Sequence, residues 1–136
     1  METDIISAFE IWRKGVPEYD WPEIEFKQKE NKMTLNDMAY EIHQNAIDKG
    51  FWWEERNIGE LIALMHSELS EALEATRHGN PVDEHCPEFR SFDIELADCI
   101  IRILDVCGNR GMDIDGAITA KMEFNKTRPV LHDKKF

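Results

Sequence analysis

Four acids in this chain have the types and spacing to do chemistry: Glu68 with Glu71, and Glu95 with Asp98. Each pair is three residues apart, so on a helix both members share a face. The stretch from Asn80 to His85 reads as a turn, and Asp83 lies midway between Glu71 and Glu95 and equally midway between Glu68 and Asp98. An antiparallel helical hairpin about that point sets Glu68 beside Asp98 and Glu71 beside Glu95. Four carboxylates so placed cannot all stay ionised without a cation, and an all-oxygen group with open positions suits Mg2+ or Mn2+. The competing reading makes them ordinary helical salt bridges, Asp98 with Arg102 four residues on and Glu71 with a nearby base. Two matched pairs favour the metal site over that alternative.

Two further groups carry possible chemistry. Lys121, Asn125 and Arg128 fall at i, i+4 and i+7, so one helix face offers two cations and an amide, groups that bind phosphate oxygens. Read blandly, they are a solvated face near a helix C-terminus, where cations favour the dipole. His132, Lys134 and Lys135 make this end the most basic region of an acidic chain. Near the other end, Phe51, Trp52 and Trp53 follow Gly50 directly, close to His43, Asn45 and Lys49. Large rings are usually core. The functional reading is a stacking wall for a nucleobase, with His43, Asn45 and Trp52 combining hydrogen bonding and stacking.

The elements that must position these residues are helices. Thr34 followed by Asp37 predicts an N-cap, and Leu35, Met38, Ala39, Ile42, Ala46 and Ile47 give an apolar face running to a C-terminal Gly50. A second helix is expected from about Ile58 to His78, stopped by Gly79, Asn80 and Pro81. A third begins between Pro87 and Ser91 and runs to about Asn109. Its Phe92, Ile94, Leu96, Ile100, Ile101, Ile103 and Leu104 predict burial on most sides at the centre of a bundle, where Glu95 and Asp98 are costly unless paired or metal-bound. Gly111 ends it, and Asp113 caps a fourth helix spanning about Ile114 to Thr127, before Pro129. Residues 1–32 read as an N-terminal arm: a short amphipathic helix over 2–14 with Ile5, Ile6, Phe9 and Trp12, then Pro17, Pro22 and an aperiodic mixed segment. No strand-like alternation of useful length appears, so the expected class is all-α.

A chain of 136 residues suits one domain. A net charge of -12 argues against binding a nucleic-acid polymer, which needs clustered Lys and Arg. Cys86, Cys99 and Cys107 have no CxxC spacing and are odd in number, which points to neither a disulfide framework nor a zinc ribbon and suggests a reducing compartment. The most apolar segment, Cys99 to Val106, is interrupted by Arg102 and Asp105, and the N-terminus shows no basic stretch before an apolar run. The expectation is a cytoplasmic protein without a membrane partner.

The run His66-Ser67-Glu68-Leu69-Ser70-Glu71-Ala72-Leu73-Glu74, the later Glu95-Leu96-Ala97-Asp98 and the ending Lys121 to Pro129 resemble the MazG-like nucleoside triphosphate pyrophosphohydrolases. The likeness covers about residues 34–136 and divides the chain into the 1–32 arm and a 33–136 catalytic domain. It implies an all-α bundle that hydrolyses NTPs or dNTPs to the monophosphate and pyrophosphate. It also implies Mg2+ held by Glu68, Glu71, Glu95 and Asp98, and phosphate contacts from Lys121, Asn125 and Arg128. A pocket for the base near His43, Asn45 and Trp52 is implied too, without a fixed preference. Some members carry an extra Glu immediately before the first motif Glu, implicated in activating water. Here Ser67 stands there, which leaves the general base to a motif carboxylate or a metal-bound hydroxide.

Two rivals are weighed against that reading. A ferritin-like di-iron bundle needs Glu-x-x-His motifs, which this sequence lacks. A non-enzymatic acidic helical module that binds a partner protein, with a divalent-ion site, predicts no nucleotide turnover. The second and third helices are apolar on several sides and need more cover than one chain readily gives, and the family likeness implies the same, so a homodimer or homotetramer is expected.

Overall fold

The computed structural model describes residues 33–130; the arm predicted over 1–32 and the basic tail from His132 lie outside them. Four helices follow in order: α1 (Leu35–Asp48), α2 (Ile58–Arg77), α3 (Ser91–Arg110) and α4 (Ile114–Lys126). Among the described residues there is no strand, only an isolated antiparallel bridge between Val82 and Arg90. The described chain is all-α.

Each helix starts where local chemistry dictates. Thr34 accepts from the Asp37 amide while the Asp37 carboxylate accepts from the Thr34 amide, a complete capping box that serves orphan N–H groups at the start of α1. Asn57 caps α2 through Gly59 and Glu60, and Asp113 caps α4 through Gly116. Arg90 precedes α3 without a side-chain cap of its own. The Phe92 amide instead donates to Asn80 Oδ1 at 2.9 Å and the Ser91 amide to the Pro81 carbonyl at 2.8 Å. Residues from the start of the turn, just after α2, therefore serve the first amides of α3. Asp83 Oδ1 accepts from the amides of His85 and Cys86, folding the turn on itself. Together these bonds hold α2 and α3 as a hairpin in one register.

α3 is flanked by α2 and α1, and α4 rests against α1. The core cluster is Ala39, Leu104 and Cys107, with Leu35, Ile42 and Ile114 packed around them. α1 and α3 cross closely at Gly108, where a Cβ would stand 2.4 Å from the Ala39 carbonyl oxygen and 2.6 Å from His43 Cβ. Only glycine fits there without a shift of backbone. The beginnings of α1 and α4 are joined by side chains. Asn36 Oδ1 accepts from the Ile114 and Asp115 amides, and Asp115 accepts from the Leu35 and Asn36 amides. Asn36 also donates to Asp113 Oδ1 at 2.9 Å.

The expectation that α3 is buried on most sides is not met within one chain. Leu104, Val106, Cys99 and Cys107 are buried, but Ile100 is 53% exposed and Ile101 and Ile103 lie partly open. On α2, Ile62, Leu69 and Leu73 form an open stripe at i, i+7 and i+11, with Leu73 50% exposed. The reason is geometric: two neighbours cover two sides of a helix, and none of the described residues covers the third. Among the described residues no helix is long and apolar enough to cross a membrane.

Candidate metal centre

Glu68 and Glu71 stand one turn apart on α2, and Glu95 faces them from α3. One carboxylate oxygen from each falls within 4.8 Å of the other two. Glu68 is buried, Glu95 half-buried and Glu71 exposed, so the group has a sealed floor and an open mouth. Two oxygens bound to one Mg2+ at about 2.1 Å each lie within about 4.2 Å of one another, so a small closing movement suffices. Carboxylate oxygens without sulfur or imidazole suit a hard cation, and the donors present fit Mg2+ or Mn2+.

The electrostatics show the strain of gathering like charges. Burial, with the neighbouring Glu71 carboxylate next in effect, pushes the Glu95 carboxyl up to about 7; a hydrogen bond with Glu71 and the fields of Glu68 and Asp98 add to it. Near neutral pH the Glu95 carboxyl is thus protonated part of the time. Burial, then the Glu68 charge, also raises Asp98, while Arg102 pulls it the other way and Asp83 and Glu71 push it up again. Asp98 is electrically part of the site, although its oxygens are not in the group of three that converge.

Arg102 changes the picture drawn from spacing. Its Nε donates to Glu68 Oε1 across the α2–α3 interface, in an ion pair whose Glu68 side chain is only 8% exposed. The arginine expected to serve Asp98 along its own helix is bonded to the opposite helix instead. A buried carboxylate needs a charged partner more than a half-buried one does, and Glu68 is the deeper acid. Ser67, in the position of the missing extra acid, donates its hydroxyl to the Leu64 carbonyl at 2.7 Å and is held on its own helix.

A second polar group lies further along α3. Asp105 Oδ1 is 2.8 Å from His43 Nδ1, and Trp52 Nε1 donates to both Asp105 oxygens at 3.0 Å. The two rings meet edge to face with centroids 5.1 Å apart, and the Arg56 guanidinium lies 5.9 Å from the Trp52 ring. Beside them is an open groove of about 440 Å³, lined by His43, Ile47, Trp52, Trp53, Arg56, Arg110 and neighbours. His43 and Trp52 are thus brought together. Asn45 is exposed, two residues from His43 and therefore on another side of α1.

Lys121 and Asn125 stand on α4 and Arg128 just beyond its end. The Lys121 ammonium is 4.6 Å from the centre of the Phe124 ring and the Arg128 guanidinium 5.9 Å from it, so both cations stand over the same ring. None of the three is hydrogen-bonded or ion-paired to the four acids within the described residues. Spacing had pointed to neither Arg102 as a partner of Glu68 nor Asp105 as an acceptor for two rings. A signal was present in the sequence: Asp98, Arg102 and Asp105 are at i, i+4 and i+7, a polar line through the most apolar stretch of the helix. Comparison of the chain with protein families, curated proteins and solved structures finds no match.

Proposed function

We propose that this chain is a divalent-cation-dependent nucleotide pyrophosphohydrolase of MazG-like type, cleaving NTPs or dNTPs to the monophosphate and pyrophosphate. The observation that carries the reading is the convergence of Glu68, Glu71 and Glu95 from two helices onto one point with an open mouth. Burial, with the neighbouring Glu71 next in effect, raises the Glu95 carboxyl to about 7, which supports a functional site there.

Glu68, Glu71, Glu95 and Asp98 are the residues that would hold Mg2+ or Mn2+. When bound, the cation neutralises the triphosphate and polarises the phosphorus under attack. The carboxylates fix where the phosphates lie relative to water. The Glu95 carboxyl is raised to about 7 by burial and by Glu71 beside it, and Ser67 is tied to a carbonyl, so Glu95 is assigned as proton acceptor for the attacking water. Asp98, Arg102 and Asp105 run along one side of α3, and seven residues of helix span about 10 Å. A nucleotide laid along that line would have its phosphates at the acids and its base near the His43–Trp52 edge. Lys121, Asn125 and Arg128 are assigned to the phosphates, delivered by movement of α4 or by another copy of the chain. The open apolar stripes on α2 and α3 support a homodimer or homotetramer, and the reading places the protein in the cytoplasm.

The experiment is turnover of a panel of NTPs and dNTPs with Mg2+ or Mn2+, resolving monophosphate, diphosphate and pyrophosphate. Monophosphate with pyrophosphate from a subset establishes the reaction and names its substrate. No turnover with either ion by folded protein sinks the reading in favour of the partner-binding module.

A further inference from the structure

Among the described residues, Arg102 is the one basic side chain ion-paired with any of the four acids. Its position is unusual for a structural arginine. It is planted just past the middle of α3, one turn beyond Asp98, and its guanidinium is on Glu68, the deepest carboxylate of the group. The Arg102 side chain is 40% exposed while that of Glu68 is 8% exposed, so the pair has one fixed member and one that reaches in from solvent. Among the described residues, the positive charge set against this group of acids is therefore the guanidinium on Glu68, and it is removable.

We propose that Arg102 is a counter-cation that competes with the divalent ion for Glu68 and, once a polyphosphate is present, transfers to its phosphate oxygens. The argument is electrostatic. A guanidinium in contact with Glu68 repels a dication placed among Glu68, Glu71 and Glu95, because both require the same carboxylate. Entry of the ion alone must therefore free Arg102 into water. With a polyphosphate at the mouth, the freed guanidinium gains a planar anionic partner that matches its fork of donors. The ion and the anion then assist each other, and by linkage the assistance is mutual. The inference rests on the proposed function for its choice of anion. The competition between Arg102 and the ion stands apart from catalysis.

The test titrates Mn2+ into the full chain by calorimetry or by loss of the free-ion paramagnetic resonance signal, comparing the parent chain with Arg102→Gln and Arg102→Lys. Circular dichroism and the denaturation midpoint verify that each variant is folded. Removing a like charge a few ångströms away should tighten Mn2+ binding by about tenfold or more in Arg102→Gln, with Arg102→Lys staying near the parent. Magnesium pyrophosphate, titrated at saturating Mg2+, should bind about tenfold more weakly to Arg102→Gln, with Arg102→Lys intermediate because it keeps the charge and loses the fork. Unchanged or weaker Mn2+ binding in Arg102→Gln overturns the proposal and makes the arginine a structural clamp on Glu68. Tighter Mn2+ binding with unchanged pyrophosphate affinity overturns the transfer to phosphate. If the parent chain and Arg102→Gln both fail to bind Mn2+, the inference falls together with the metal centre. Metal binding that responds to Arg102 as stated, in a chain that turns over no nucleotide, sinks the proposed reaction and leaves the competition standing.

Discussion

The two halves of α3 treat buried charge differently. In the C-terminal half, Asp105 meets two ring N–H groups, His43 and Trp52 pack edge to face, and the donors and acceptors of the group are satisfied inside the chain. In the N-terminal half, Glu95 and Asp98 lie close to Glu68 and Glu71, and among the described residues only Arg102, just beyond them, is ion-paired with any of the four acids. The first arrangement is complete and holds α1 to α3. The second is short of positive charge among the described residues. A polar group closed within its own chain adds rigidity and specificity of packing, whereas one left short of positive charge marks where something binds.

The sharpest way to break the comparison is to neutralise one acid. Glu71→Gln or Asp98→Asn should lower turnover by at least about a thousandfold, on the scale of losing a principal electrostatic contact in the transition state, with the helical spectrum unchanged. Retained activity in either variant would remove the metal centre. The mirror experiment is at the closed end: Asp105→Ala strands two ring donors at about 1–3 kcal/mol each, read as a lower denaturation midpoint, and should leave Mn2+ affinity within twofold of the parent. A large loss of metal binding there would erase the distinction between the two halves.

Gly108→Ala tests the closeness of the α1–α3 crossing on which the closed end depends. The added methyl meets the Ala39 carbonyl and His43, and should cost about 1–3 kcal/mol by forcing the helices apart. A stability equal to the parent's would show that the crossing yields freely.

The smallest effect is with pH. The folded state holds the Glu95 proton more tightly than the unfolded chain does, with a value near 7 against 4.5. Between those values the folded state binds more protons, so this group's contribution falls as pH rises from about 4.5 through 7, and Asp98, also raised, acts in the same direction. Without divalent ions the melting temperature should therefore drop by a few degrees across that window relative to Glu95→Gln. Added Mg2+ should flatten the slope. A slope that is the same in Glu95→Gln would show that the strain lies elsewhere.

The helices were legible because their boundaries are local chemistry. Thr34 with Asp37, Gly50, Gly111 and Asp113 each act within a few residues of themselves, and each stands where spacing put it. The hairpin register was legible from the equal spacing of two acid pairs, and Glu71 does meet Glu95. The partner of Arg102 was not, because a choice between Asp98 on its own helix and Glu68 across the interface depends on depth of burial, which spacing does not encode. Asp105 escaped notice for the same reason: its two donors come from α1 and the turn after it, 62 and 53 positions away. Apolar content alone overstated the burial of α3, since it says what a face prefers and not what lies against it.

The side chains that join α1 to α4 also carry information about time. Leu35 and Asn36 rely on Asp115, and Ile114 relies on Asn36, across 78 to 80 positions of chain. During synthesis, Thr34 and Asp37 can close their capping box as soon as α1 emerges, but the Asp115 bond to Leu35 must wait for 80 further residues. The latch between the two helices is therefore among the last contacts of the four helices to close. A ribosome stalled before residue 113 would display α1 capped by its own residues but not yet fastened to its last neighbour.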